Sequence, residues 1–538
     1  MMLPNRWRYL LTTLVVLSCC LFVLLSAPFN PLKPSIIALL PPLLALTCAF
    51  LLRQVTLALA MSLWFGAWVM GGASGQAIVQ GFVDVPVKYL VLALSETDHI
   101  LLILVTVFIG GMMSVIYQNG GMSGLVYRIS RWANTPKRAQ LSAATMGLVI
   151  FFDDYANTLL TGNTMRPLMD KLKVSREKLA YIVDSTAAPI ASLAVVSLWV
   201  GFQVGLIDSA TAAIEGLPSP FVLFLYSLGY SFYPILAVVF VFLIASSGRD
   251  FGPMLKAERR ARQASSTSVT VTSEGPAQAS ADNAWVPIAG MVLTMILGLY
   301  ISGEGNTLID ILGSADPFRA LLVAAFFGSA LAILLSVLRR LMSLDDAIAS
   351  WISGAASITG ALIILILSWS LAVLIEEMNT VGYIIPLLSD TLSAPWIPAI
   401  VFIIAAVIAL GTGSSWGTMA ILMPIVIPLT WAVISDTPDT NVSERMPIFY
   451  SAISAVLAGS VWGDHCSPIS DTTVLSSMAC QCDHLEHVRT QLPYALLVAA
   501  IALVCGTLPV AWGLPWWLGL TACVITLLVF FRLLSKPH

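Results

Sequence analysis

Residues 460–477, SVWGDHCSPISDTTVLSS, gather Asp464, His465, Ser467, Ser470, Asp471, Thr472 and Thr473 in one short run. Long apolar segments flank the run, which places these groups at membrane depth. A carboxylate there costs roughly 3 kcal/mol unless it meets a cavity, an ion or a partner, so it marks function. Hard cations such as sodium take oxygen ligands: carboxylates, carbonyls and hydroxyls. A carboxylate that holds sodium at one moment and a proton at another couples the two directly. Pro468 breaks the helical hydrogen-bond ladder where these groups cluster, and broken backbone at membrane depth is tolerated only where it lines a protected or wet site. Asp464 and Asp471 are thus the first candidates to bind sodium. Ser467, Ser470 and Thr472 are candidate neutral ligands.

A second constellation lies in FFDDYANTLLTGNT, where Asp153 and Asp154 are followed by Asn157 and Thr158. Asp184, with Ser185 and Thr186, precedes Pro189 as Gly463–Asp464 precedes Pro468, and joins Asp153, Asp154 and Asn157 as an ion- or proton-binding candidate. GTGSSWGT (411–418) has no carboxylate, but Ser414, Ser415 and Thr418 could complete an ion or substrate site, and its glycines permit close backbone approach. Each reading has a structural competitor. Asp153 and Asp154 could cap an interfacial helix, and Asp464 and Asp471 could bond broken backbone. His465 is either a proton shuttle or a bonded orienter of its neighbour, and Glu376–Glu377 read equally well as a solvated helix end. CQCDHLEH (480–487) superficially resembles a zinc site but fits no standard finger spacing. The GxGD motif of intramembrane proteases is not met, because valine stands where its first glycine is needed.

These motifs occur twice. With Pro189 set against Pro468, PIASLAVVS matches PISDTTVLS at proline, isoleucine, valine and the last serine. Upstream, FFDDYANTLLTGNTMRPL and LGTGSSWGTMAILMPI are each a polar run, then Thr-Met, then proline. A polar segment followed by a broken helix in each half is the expected signature of a two-repeat secondary transporter.

The chain of 538 residues is 58% hydrophobic and 10% charged, with mean hydropathy +0.90. Soluble domains carry about a quarter charged residues, so the composition points to a polytopic helical membrane protein. Net charge is −3, and without a sizeable basic field nucleic acid is excluded as a partner. The eight cysteines are scattered and read as small buried hydrophobes. Spans are expected near 9–27, 35–52, 54–71, 99–117, 180–203, 220–246, 285–302, 317–338, 355–375, 395–411, 447–462, 492–512 and 514–533, with re-entrant hairpins at 139–168 and 410–433. Arg6 and Arg8 before the first apolar run set an uncleaved first helix with its N-terminus in the cytoplasm. Residues 248–283 begin with a basic cluster and continue as ASSTSVTVTSEGPAQASADN, a cytoplasmic flexible linker. The divisions are 1–94 (N-terminal transmembrane helices), 95–247 (first transporter repeat), 248–283 (linker) and 284–538 (second repeat and C-terminal helices). The segment 166–178 is basic and the matching 436–445 acidic, which suits hairpins entering from opposite faces.

GTGSSWGTMAILMPIVIPL and GSVWGDHCSPISDTTVLSSMA resemble the motifs of the NhaC family of sodium/proton antiporters, and the likeness extends through DDYAN over most of residues 95–500. The resemblance implies two inverted repeats, each with a re-entrant hairpin and a broken transmembrane helix, in an all-α polytopic protein. By motif match it carries over Asp464, Ser467, Pro468, Asp471 and Thr472, with Gly413, Ser414, Ser415 and Thr418. It implies exchange of sodium for protons by alternating access in a bacterial inner membrane; some members carry organic anions such as malate and lactate. The expected protein is a transporter and not an enzyme, with no cofactor. Its partners are sodium, protons and the lipid bilayer, with an organic anion and a second copy of the chain (homodimer) as further candidates. A sodium- or proton-coupled carrier of an organic or amino acid is the alternative on the same fold.

Overall fold

A computed structural model of the protein describes residues 5–26, 29–30, 35–52, 54–130, 132–151, 153–195, 197–212, 214–263, 280–304, 315–380, 383, 393–435, 442–468 and 470–537. Among them, eleven helices are long and apolar enough to cross a membrane, or up to thirteen spans if each of two bent helix pairs counts as one. The protein is an all-α polytopic membrane protein. Outward faces carry large apolar residues such as Phe82, Ile296, Leu338 and Ile403, as expected where hydrocarbon replaces water as the solvent. The span at 444–466 is 78% buried and that at 415–435 is 72% buried, against 11% for Arg8–Leu25. The helices that bear the chemistry are therefore the enclosed ones.

In the first half, α1 (Pro136–Val149) starts from Thr135, whose hydroxyl accepts from Arg138 N. A short turn leads into α2 (Asp154–Lys171), and the two helices pack as a hairpin. Next comes a helix broken twice. In order these pieces are α3 (Arg176–Asp184), α4 (Ala188–Leu193) with Pro189 in its first turn, and α5 (Leu198–Thr211). Ser197 holds the second break: its hydroxyl donates to Ala191 O at 2.8 Å and accepts from Val200 N at 3.3 Å. The first half ends with α6 (Phe232–Ser247).

The segment expected to be a flexible linker from residue 248 is structured over its first part. Arg249–Asp250 forms β1, paired antiparallel with β2 (Lys536–Pro537) at the end of the chain. α7 (Gly252–Gln263) follows and buries Met254, Leu255, Ala257 and Glu258. Its basic residues hid this amphipathic face when the segment was read by charge alone. Residues 264–279, the low-complexity part, lie outside the described residues.

In the second half, α8 (Ile397–Thr412) turns through Gly413 into α9 (Ser415–Ser435). Gly413 has φ 71, a left-handed conformation that glycine adopts without steric cost. This corrects the expected hairpin at 410–433. The hydroxyl- and glycine-rich run is the turn between two long helices, so the hairpin spans 397–435. α10 (Val442–Cys466) crosses closely against α8. A Cβ at Gly463 would lie 2.7 Å from Ala406 O, and one at Gly459 would lie 2.4 Å from Phe402 O. Small residues one turn apart let the two backbones touch. α11 (Asp471–Cys480) continues beyond the break at Pro468, and α12 (His484–Ile501) follows.

One span was not expected. Gly75–Ser95 forms a continuous 21-residue helical segment that passes Pro86 through a π-helical turn, Val85–Leu90. The wider turn accommodates the proline that argues against a helix in the sequence. The expected spans at 35–52 and 54–71 are shorter apolar helices, Ile36–Ala49 and Val55–Met70.

Candidate ion-binding site

The break in the second broken helix is built from side chains that replace the missing helical bonds. Ser467 Oγ donates to Leu410 O at 2.9 Å, tying the break to the end of α8. Ser470 occupies the N-cap position of α11 but makes no capping bond. Its hydroxyl instead donates to Asp464 Oδ1 at 2.8 Å and lies 3.1 Å from Thr472 Oγ1. The Ser415 hydroxyl, at the start of α9, reaches the same Asp464 carboxyl. Asp464, Ser415, Ser470 and Thr472 are all buried. The structure thus brings together one carboxylate and three hydroxyls from α9, α10 and α11.

The first hairpin supplies the facing side. Asp154 is buried, begins α2, and faces the Trp199 indole of α5. Asp153 Oδ1 accepts from Tyr155 N at 2.9 Å, as a residue capping α2 would. The Tyr155 ring lies among four carboxyls, those of Asp153, Asp154, Asp464 and Asp471, and its hydroxyl approaches Asp471 Oδ2 at 3.4 Å. Asp471 itself is exposed on the first turn of α11. No lysine or arginine side chain among the described residues pairs with Asp154, Asp464 or Asp471.

Other candidates hold the frame. Asn157 Nδ2 donates to Thr186 O (2.8 Å) and Gly147 O (3.3 Å), and its Oδ1 accepts from Thr161. It pins α2 to the turn after α3. Thr158 and Thr418 donate to the backbone carbonyls four residues back, Asp154 O and Ser414 O. Ser414 Oγ accepts from Gly417 N at the start of α9.

Asp184 occupies a separate cage. Fully buried at the end of α3, it accepts from Gln491 Nε2 (2.6 Å), Thr473 Oγ1 (3.2 Å) and Ser476 Oγ (3.4 Å). His487 Nε2 lies 3.4 Å from its Oδ2. Thr473 Oγ1 is also 3.0 Å from Asp464 O, so the two clusters meet at one hydroxyl. His465 bonds Tyr233 OH through Nδ1 at 2.8 Å. Glu377 pairs with Lys88 at 2.8 Å, away from the site. His484 is held by Ser477 Oγ and Pro468 O.

Tyr155, Trp199, Ser476, His487 and Gln491 were not singled out as site residues in the sequence. His487 and Gln491 carry a signal that was available: they stand four apart at the start of an apolar span, on one helix face.

Comparison with known proteins bears on the family and the fold. The profile of the Na+/H+ antiporter family matches residues 191–508, which include α5 and α8 to α12. The chain belongs to that family. An uncharacterised protein of Haemophilus influenzae is 31% identical over 521 residues, covering 93% of this chain and 96% of its own. The malate-2H(+)/Na(+)-lactate antiporter of Bacillus subtilis is 31% identical over 108 residues, 19% of this chain and 20% of that one. The crystal structure of the Alcanivorax borkumensis YdaH transporter superposes with a TM-score of 0.55 at 14% identity, over 88% of this chain and 99% of that chain. This likeness is one of fold. As a member of the Na+/H+ antiporter family, the protein is a multi-pass membrane transporter.

Proposed function

We propose that the protein exchanges sodium for protons across a bacterial inner membrane by alternating access. One observation carries this reading: Asp154 and Asp464 are buried, belong to different halves, and have no basic side chain paired with them among the described residues. Buried carboxylates at membrane depth require a cation or a proton. Sodium would be held by Asp464 and Asp471, with Asp153 or Asp154 across from them, and Ser415, Ser470 and Thr472 would add neutral oxygens. Proton and sodium compete for the same carboxyls, so loading one releases the other.

Two repeats, 95–247 and 284–538, inverted relative to each other, would supply the alternating movement. In support, α2 packs on α11 and α9 packs on α5. The second arm of each hairpin thus rests on the last piece of the other half's broken helix. The basic side chains after the first hairpin favour a cytoplasmic location for that end, with the N-terminus on the same side.

The test is sodium-driven proton movement in proteoliposomes loaded with a pH-sensitive dye. An inward sodium gradient should alkalinise the lumen, and Asp464→Asn should abolish the signal. No response from correctly folded wild-type protein sinks the exchange reading. The partial match to a malate/lactate antiporter favours one second reading, sodium- or proton-coupled carriage of an organic acid. Sodium-driven uptake of labelled malate or lactate, with no proton signal in its absence, would establish that reading instead.

A further inference from the structure

Beyond the carboxylates that would hold sodium lies a titratable pair that the exchange reading leaves unused. His487 is fully buried on the first turn of α12, and neither ring nitrogen has a hydrogen-bond partner among the described residues. Nε2 nevertheless faces Asp184 Oδ2 at 3.4 Å. Gln491, one turn further along α12, donates to the same oxygen at 2.6 Å. Two side chains on one helix face thus converge on one buried carboxylate. Its Oδ1 receives Ser476 from α11.

We propose that His487 and Asp184 form a proton-binding site of their own, separate from the sodium ligands. The inference rests on the sodium/proton reading above and deepens it. In the tautomer with its hydrogen on Nε2, which lies 3.4 Å from Asp184 Oδ2 without a formed hydrogen bond, neutral His487 leaves the Nδ1 lone pair open. A proton adds at Nδ1, forming an N–H bond there, and the resulting imidazolium stands beside the Asp184 carboxylate. Gln491, Thr473 and Ser476 are neutral donors, so they keep Asp184 oriented without cancelling its charge.

Titratable groups from every neighbouring element surround this pair. From α10, His465 and Cys466 lie near Asp184, with the His465 Nδ1 taken by Tyr233 of α6. From α11, Cys480 lies near it. On α3, Lys178 is paired with Asp250, which also accepts from Tyr494 of α12. Glu258 of α7 accepts from Ser175. On α12 itself, Glu486 and Arg489 pair with each other near the surface. Among these, His465 is a second imidazole that acts on Asp184 and on His487; the lysine and the arginine are each paired with another carboxylate.

The site communicates with the sodium ligands through Thr473, whose single hydroxyl proton can serve either Asp184 Oδ2 or Asp464 O. A proton on His487 draws Asp184 toward the imidazolium and frees Thr473 for Asp464. Proton loading is thereby felt at the break.

The experiment compares wild type with His487→Gln, which can still donate to Asp184 but cannot take a proton. Labelled-sodium counterflow in proteoliposomes, which needs no net proton movement, should stay within about twofold of wild type, a change of less than about 0.5 kcal/mol. Sodium-driven proton flux should lose one proton per turnover, read as a shift in the voltage at which net transport reverses. Equal loss of counterflow and proton flux in His487→Gln would reduce His487 to a structural role and overturn the proposal. A second measurement is independent of sodium: in nitrogen-15 histidine spectra of the detergent-purified protein, the signal missing from His487→Gln should titrate and should move in Asp184→Asn. A signal that keeps one tautomer from about pH 5 to pH 9 overturns the proposal. Wild-type protein without sodium counterflow, but with the titrating signal, sinks the sodium reading and leaves the proton site standing.

Discussion

Thr473 Oγ1 lies 3.2 Å from Asp184 Oδ2 and 3.0 Å from Asp464 O, so one hydroxyl joins a carboxylate of the first half to the broken backbone of the second. Thr473→Val keeps the shape and removes both bonds. It should lower sodium-driven proton flux about tenfold and destabilise the fold by about 1–2 kcal/mol, the ordinary cost of leaving a buried acceptor unserved. Flux in proteoliposomes and thermal unfolding in detergent measure the two effects separately. Unchanged flux at reduced stability would assign Thr473 to structure alone.

Ser470 gives up its capping role to bond Asp464. Ser470→Ala should therefore raise the half-saturating sodium concentration about fivefold, equivalent to about 1 kcal/mol, with little change in maximal rate. Ser470→Thr, which restores the hydroxyl, should recover most of the affinity. A loss of maximal rate at unchanged sodium affinity would count against a ligand role.

The closely packed pair Lys178 and Asp250 is fully buried, with Tyr494 OH donating to Asp250 Oδ1 at 2.6 Å. Replacing either partner alone by alanine should destabilise the protein by about 3–5 kcal/mol, because the remaining charge is stranded. Lys178→Met combined with Asp250→Leu should recover most of that loss. Thermal unfolding of the three variants checks both statements.

If the repeats are inverted, the ends of the two hairpins lie on opposite sides of the membrane. In a background stripped of the eight native cysteines, Lys173→Cys should react with an impermeant thiol reagent from one side only, and Ser435→Cys only from the other. Reaction of both from the same side would rule out the inverted arrangement.

Much of this architecture was legible in the sequence because membrane burial makes polar residues conspicuous. The run 464–473 stood out for that reason, and Asp464 with Ser470 does sit at a break beside Pro468. Asp154 and Ser415 were also legible, as polar groups in apolar surroundings. Boundaries were harder. Gly413 marks a turn through its left-handed backbone, yet in the sequence a glycine among hydroxyls reads as the middle of a polar segment. The span at 75–95 was not expected, and it passes Pro86 through a π-helical turn. Asn157 looked like a ligand, whereas its amide nitrogen holds two carbonyls of neighbouring elements. Composition reports that a polar group is buried; only the fold reports which partner it serves. Arg166 and Arg176 illustrate the same limit. Their charge was a sidedness signal, but in the structure they also donate to Ala479 O and Gln481 O at the end of α11.

The strand pair β1–β2 joins Arg249 to Pro537, and Arg249 also donates to Ser535. Arg249 and Ser535 stand 286 positions apart, so this contact closes a very long loop and cannot form by local folding. Asp250, the other residue of β1, pairs with the buried Lys178. The neighbourhood of Lys178 is therefore latched from a distance, and the first half reaches its final form only when the second is packed against it.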